Sequence, residues 1–396
     1  MKKFKVGVWV DASFIPESGG GHSFLYQLIE SIDEKKFRNE IEIFFVGFNL
    51  KTIFKKEVIN LSYSESPLYQ KKVNFFHKYL SINIIRKDIE KNYIKAEQDL
   101  RKLEIDIIFY PTPDVFLQNY PYIIMNWDLA HRTTHPFPEV AMFGNWENRE
   151  KKIHNNLNKA LLICAESETG KNEIINHYNI SADKITILPL FPSKIISENI
   201  IPKKPEWLNS DTKFFIYPAQ FWAHKNHYNL IIAFKSFIED NNQDYILILS
   251  GSDQGNGNYI KSLIKELGLE HAIKTPGFIA DQHLKWLYKN SEGLVFPTLL
   301  GPTNMPLLEA LHLNCKIACS NLKGHKAMIG DLAIYFDPLD PNSIKQSLDI
   351  LKTNDNRNLS TTKLKNVLEY YTLENAIIAF ESTITKSMNI KRTWGF

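Results

Sequence analysis

Gly293-Leu-Val-Phe-Pro-Thr-Leu-Leu-Gly-Pro-Thr-Asn-Met-Pro-Leu-Leu-Glu-Ala-Leu311, running on to Ser320, decides how this chain is read. Gly293 to Phe296 is a short apolar run closed by Pro297, which predicts a buried strand. Gly301 and Pro302 mark a loop. Thr303 or Asn304 can cap a helix, and Pro306 is tolerated in its first turn. Leu307, Leu308, Leu311 and His312 then recur at helical spacing, with Glu309 near the start. A helix N-terminus offers unpaired backbone N–H groups that suit a phosphate. A carboxylate one turn on suits vicinal sugar hydroxyls, because its two oxygens are both acceptors. Strand, loop, helix and strand in this order suggest a site for a nucleotide-sugar.

Outward from that stretch, strands and helices alternate along the chain. Strands are predicted at Lys5–Val10, Ile41–Phe48, Ile105–Tyr110, Tyr122–Asn126, Leu161–Ala165 and Lys184–Leu188. Residues 191–212 break the rhythm with Pro192, Pro202 and Pro205. Further strands then follow at Phe214–Pro218, Tyr245–Ser250, Gly293–Phe296, Lys316–Cys319 and Ala333–Phe336. Helices fit between them, at Glu168–Tyr178, Asn226–Ile238, Tyr259–Leu267, Asp281–Lys289, Met305–Leu313 and Pro341–Leu351. This is an α/β pattern of two doubly wound parallel sheets facing across a cleft. The expected boundaries are 1–195 for an acceptor-side domain, 196–212 for a linker and 213–375 for a donor domain. A final helix, 376–396, is expected to pack back on the first.

The bulk numbers fit this picture. The 396 residues suffice for two domains, and 44% hydrophobic with 23% charged residues is ordinary for a globular chain. A net charge of +3 does not argue for nucleic acid. Cys164, Cys315 and Cys319 make no disulfide framework and no zinc site, so buried thiols in a reducing compartment are expected. The N-terminal apolar run is too short for a signal peptide, and no run reaches the about 18 apolar residues of a membrane span. The expected location is cytoplasmic.

Three further segments carry chemistry. Gly19-Gly20-Gly21-His22-Ser23 follows the first strand. It lacks the third glycine of a dinucleotide fingerprint, and the second strand ends in Val46-Gly47-Phe48 with no acid, so a nicotinamide enzyme is not expected. Either a plain turn or a ligand-facing loop fits. Tyr217-Pro-Ala-Gln-Phe-Trp-Ala-His-Lys-Asn-His227 leaves a strand and enters a helix, where Lys225 can neutralise a diphosphate. Residues 71–87 hold Lys71, Lys72, Lys78, Arg86 and Lys87 among aromatic and aliphatic residues, without Asp or Glu. They fit either an anionic membrane surface or a helix packed on the first domain.

Through Gln220–His227, Gly277-Phe278-Ile279 and Pro297–Ser320 the chain resembles glycosyltransferase family 4, in particular a branch with a Tyr-Pro-Ala-Gln-Phe-Trp-x-His-Lys-Asn-His motif. The resemblance implies the GT-B fold and a retaining transfer of a sugar from a nucleotide donor. No cofactor or metal is implied beyond the nucleotide-sugar as co-substrate. By position, Lys225 resembles the residue at the donor diphosphate and Glu309 the one at the ribose. Thr303, Asn304, Met305, Pro306 and Leu307 would line phosphate and sugar, and Phe278 and Ile279 would clamp the base. Gly20 and Gly21 match the family's glycine loop. The chain departs from the family at Gly301, where a Glu is usual, at Gln220, where an Arg is usual, and at Trp127-Asp128, where a His-Asp pair is usual. His131 follows three residues later. Asp128 or His131 faces the donor sugar, or else Asp128 caps a turn and His131 is a satisfied loop histidine.

The resemblance thus implies a saccharide or lipid-linked acceptor, surface polysaccharide synthesis, and a place at the inner face of a membrane. A non-catalytic nucleotide-sugar binder and a sugar-nucleotide epimerase are the alternatives, since fold alone does not fix function.

Overall fold

Long runs of Val, Ile, Leu and Phe with no polar alternation make strands that are stable only when both faces are covered. The chain has such runs in two sets, and they form two separate all-parallel sheets. The computed structural model describes residues 2–11, 20–51, 54–61, 83–209, 212–241, 245–353 and 361–394.

The first sheet has seven strands: β1 (Phe4–Trp9), β2 (Ile41–Phe48), β3 (Val58–Leu61), β4 (Ile107–Tyr110), β5 (Tyr122–Asn126), β6 (Leu162–Ala165) and β7 (Ile185–Ile187). Their spatial order is β3-β2-β1-β4-β5-β6-β7. The second has six: β8 (Lys213–Pro218), β9 (Tyr245–Ser250), β10 (Ile273–Gly277), β11 (Gly293–Phe296), β12 (Ile317–Ser320) and β13 (Ile334–Phe336). Its order is β10-β9-β8-β11-β12-β13. The order reverses beside the first strand of each sheet, between β1 and β4 and between β8 and β11.

The predicted strands match these within about two residues at each end. Two strands escape the sequence reading, and both are sheet edges. β3 is four residues long, and β10 reads Ile-Lys-Thr-Pro-Gly with a register shift between Lys274 and Gly277. An edge strand can carry a proline because one side of its ladder is unpaired.

The helix Leu373–Lys391 starts on a Thr372 cap, whose side chain accepts from the Asn375 N–H. It lies on the first sheet and against the helix Gly20–Glu34. Phe380 is fully buried, edge-on to Phe37 at 5.8 Å and to Phe109 at 4.9 Å. The Thr383 hydroxyl reaches Thr186 at 3.0 Å, and Lys35 pairs with Glu381 at 3.4 Å. The end of the chain therefore returns to the first sheet after the second is complete. Among the described residues no helix is long and apolar enough to cross a membrane. Most of the basic segment 71–87 lies outside the described residues.

Phe380→Ala removes the aromatic that joins this helix to β4. We expect a loss of about 3–5 kcal/mol in unfolding free energy, read as a lower urea midpoint with little change in slope.

Candidate active site

In doubly wound sheets the loops beyond the strand carboxyl ends diverge where the order reverses, and the crevice between them takes ligands. In the second sheet those loops are 219–226 after β8 and 297–304 after β11. They are stitched to one another. The His224 carbonyl accepts from the Leu299 N–H at 2.8 Å. The Asn226 amide donates to the Pro297 carbonyl at 3.1 Å and to the Pro338 carbonyl at 2.6 Å. Asn226 itself is left-handed, with φ 57°, a conformation that Asn tolerates better than most residues.

This stitching fixes Lys225. Its carbonyl accepts from the Tyr217 hydroxyl at 2.8 Å, and its ammonium lies 5.5 Å from the centre of the Phe296 ring. The side chain is half-buried, and among the described residues no carboxylate stands within 4.0 Å to pair with it. Burial pushes its pKa down to about 8, against the pull of Asp128 and Glu139. It is a cation held partly out of water without a counter-ion, so an anion placed there gains more than it would at the surface.

The helix Met305–His312 begins beside it. Asn304 takes the cap position in extended conformation but does not cap with its side chain. Its amide instead donates to His325 Nε2 at 2.9 Å, while His325 Nδ1 donates to the Ser320 carbonyl at 2.8 Å. His325 is fully buried, and burial pushes its pKa down to about 4, with Lys225 adding to the shift. A neutral imidazole thus turns Asn304 away from the helix end. Pro306 carries no N–H and the Leu307 N–H goes to the Asn304 carbonyl, so the Met305 N–H is the one the first turn leaves to an outside acceptor.

Across the cleft, the first sheet's loops touch the same two segments. Glu139 Oε1 accepts from the His224 backbone N–H at 3.0 Å and from His224 Nδ1 at 2.5 Å. The Thr134 hydroxyl donates to the Leu299 carbonyl at 3.2 Å. The Thr303 hydroxyl donates to Glu166, the residue just after β6. Within the second domain, Gly324 abuts the Pro302 carbonyl so closely that a Cβ there would collide with it.

Several expected residues stand elsewhere. Glu309 was expected to offer two free oxygens. Instead it is buried, accepting from Ser193 Oγ at 2.5 Å and from the Tyr288 hydroxyl at 2.8 Å. Burial raises its pKa, and these two donors oppose the rise. Asp128 behaves as a cap: Oδ1 accepts from the Ala130 N–H at 2.8 Å and from Arg149 at 2.5 Å. His131 is a correction to the sugar-facing alternative. Its side chain is wholly buried, with Nε2 at 3.1 Å from Glu150 and 3.2 Å from the Tyr178 hydroxyl.

Gly20 and Gly21 are the first residues of the helix Gly20–Glu34 rather than a loop before it, and Gly19 lies outside the described residues. Gln220 bridges Trp222 Nε1 at 3.0 Å and Ser252 Oγ at 3.1 Å, beside the Lys225 loop. Phe278 is two-thirds exposed and Ile279 is buried, so only the former is open to a base. Thr303, Asn304 and Met305 lie at the helix start, with Pro306 in its first turn. Leu307 is a core side chain, and its N–H is spent on the Asn304 carbonyl at 3.2 Å.

The sequence reading missed Glu139, Glu166, Ser193, Tyr288 and His325. None sits in a local pattern that distinguishes it. Each acquires its role through a partner at least 21 residues away.

With this geometry in hand, the likeness to known proteins is specific. Residues 199–369 match the family model described as glycosyl transferases group 1. The O-antigen chain mannosyltransferase B of Escherichia coli is 27% identical over 266 residues, covering 62% of this chain and 69% of that one. The sucrose-phosphate synthase of Thermosynechococcus elongatus superposes with a TM-score of 0.71 at 14% identity, over 98% of this chain and all of the other. Anabaena HepE, solved with UDP and glucose, gives 0.68 at 15% identity, over 96% and 99%. The architecture is GT-B.

His325 supplies a pH test of the site's packing. The unfolded chain protonates this histidine below about 6.5, the folded one only near 4. Its contribution is full above about 6.5 and is lost as pH falls through that window, on the order of 3 kcal/mol. Urea titrations at a series of pH values are expected to show a smaller acid loss in His325→Gln than in the parent.

Proposed function

We propose that this chain is a retaining glycosyltransferase that moves a sugar from a nucleotide-sugar to a saccharide or lipid-linked acceptor. The observation that carries the reading is the unpaired, half-buried Lys225 ammonium beside the uncapped start of the helix Met305–His312. A cation and a helix N-terminus converging at a topological switch point suit a diphosphate. The match to the group 1 model spans both features. The E. coli relative's name supports O-antigen assembly, and with it surface polysaccharide synthesis.

In the proposed reaction the bond from the anomeric carbon to the phosphate oxygen breaks, and its electron pair goes to the phosphate. The acceptor hydroxyl attacks from the same face, and its proton passes to the departing phosphate. Lys225 and the Met305 N–H meet the charge that grows there. Being already oriented, they reorganise little when it appears. The proposed electrophilic assistance comes from these groups rather than from a metal.

Glu309 can hold the ribose only by exchanging the Ser193 or Tyr288 hydroxyl for a sugar hydroxyl. In the closed arrangement seen here it joins the segment leaving β7 to the helices Asp281–Asn290 and Met305–His312. Phe278, exposed beyond β10, is the candidate for stacking on the base. The acceptor enters from the first domain, and the segment 71–87 is proposed as the contact with an anionic membrane at its cytoplasmic face.

A thermal-shift screen against UDP- and GDP-linked hexoses should find at least one that raises the melting point of the parent. Lys225→Ala should abolish most of that shift and lower turnover by 100-fold or more (about 3 kcal/mol), while melting normally without ligand. Undiminished transfer by the variant would sink the assignment.

A further inference from the structure

We propose that Glu166 contacts a hydroxyl of the transferred sugar, supplying from the first domain a carboxyl that the loop after β11 cannot supply itself. The inference rests on the transferase reading above and names a residue of that same cleft.

Position 301 is closed to a side chain. Gly301 has φ 137°, a conformation that L residues rarely adopt. A Cβ there would strike the Asn304 amide and lie 2.9 Å from the Thr303 carbonyl oxygen. The loop is thus too tight to carry an acid at this point. Two residues on, Thr303 turns its hydroxyl across the cleft to Glu166 Oε1. Glu166 stands at the carboxyl end of β6, beside Asn126 at the end of β5, since Asn126 and Ala165 are register partners.

Only one oxygen of Glu166 is engaged: among the described residues, Oε2 has no hydrogen-bond partner. Around it, two buried polar atoms also lack partners, Asn126 Oδ1 and Glu173 Oε2. Asn126 is 4% exposed. Buried polar groups are nearly always satisfied, so neighbouring orphans at a cleft imply that something polar completes them. Thr303, which Glu166 meets, lies two residues before Met305, so a phosphate held at that helix start would bring its sugar to this side of the cleft. A hexose carries hydroxyls that both donate and accept.

The charged and titratable neighbours agree. Burial pushes Glu166 up to about 8, with Asp128 and Glu173 adding to the rise. Glu173 is itself pushed up to about 7 by burial, partly offset by Lys323. Tyr371 also stands near Glu166, whose charge adds to a rise caused mainly by burial. Glu166 therefore holds its proton at neutral pH. A neutral carboxyl can accept from one hydroxyl and donate to another oxygen, which a carboxylate cannot.

The test is donor hydrolysis, without acceptor, by the parent, Glu166→Gln and Glu166→Ala. UDP-glucose and GDP-mannose serve as donors, together with their 2-, 3-, 4- and 6-deoxy analogues. Gln keeps the neutral shape and both hydrogen-bonding senses, so Glu166→Gln is expected within about threefold of the parent. Glu166→Ala is expected to lose tenfold or more in kcat/KM on the full sugar. One deoxy analogue should cost the parent a similar factor and cost Glu166→Ala nothing, because the shared contact is already gone. Melting curves establish that the variants fold; if Glu166→Ala does not, Glu166→Asp, which keeps the acid but shortens its reach, carries the test, with a loss expected on the full sugar and none on that one deoxy analogue. If Glu166→Ala matches the parent, or loses the same factor on every analogue, Glu166 does not touch the sugar and the proposal fails. If the parent hydrolyses neither donor while both fail to shift its melting point, the transferase reading falls first.

Discussion

Buried carboxyls that cross from one sheet to the other hold this molecule in its working shape. Glu139 grips the His224 loop, Glu166 receives Thr303, and Glu309 is met by Ser193 from the segment leaving β7. A carboxyl taken out of water destabilises the fold unless something donates to it. Glu139 and Glu166 find these donors only when the two sheets face one another, and Glu309 adds Ser193 to the Tyr288 hydroxyl of its own domain. The requirement is directional, so it fixes how the loops after β8 and β11 stand, not merely that the domains touch. His224 is bonded on both its backbone N–H and its ring by a single oxygen, and Lys225 is the next residue.

That arrangement explains the electrostatics of the cleft. Lys225 is depressed by burial, while Glu166 and Glu173 are raised by it. Shifts of opposite charge type with one cause mean that the cleft disfavours charge of either sign. It holds its groups near the point where they change protonation at neutral pH. An anion placed beside the lysine would alter that balance by supplying negative charge, and neutral acids opposite would not repel it.

The second domain's half of the candidate site was legible because its parts are contiguous. Strand, loop and helix between Gly293 and Leu311 announce themselves by a change of period and by Gly and Pro, and Lys225 sits at the mouth of another such unit. The first domain's share was not. Glu166 is one acid among many until Thr303 is brought to it over 137 residues of chain. Edge strands failed for a different reason: β3 and β10 are too short or too polar for periodicity to detect. The polar helix Asn145–Lys159 buries only Ile153, Asn156 and Leu157, too thin a stripe to stand out. Glu309 was found, but its partners Ser193 and Tyr288 were not, so its freedom was overestimated.

The same bonds bear on motion. Interfaces between domains of one chain are commonly polar, and relative movement is the default for them. Here the cross-domain bonds are made by Glu139, Thr134, Glu166 and Ser193, all of which water can satisfy once the cleft opens. Breaking such a bond costs about 0.5–1.5 kcal/mol when both partners are rehydrated, far less than leaving either one buried and unpaired. The apolar contacts that must not break lie elsewhere, where Phe380 ties the last helix to the first sheet. The fold thus separates its permanent join from its operable one. The helix Leu373–Lys391 keeps the chain's end on the first domain, while the cleft face is closed by hydrogen bonds that water can replace.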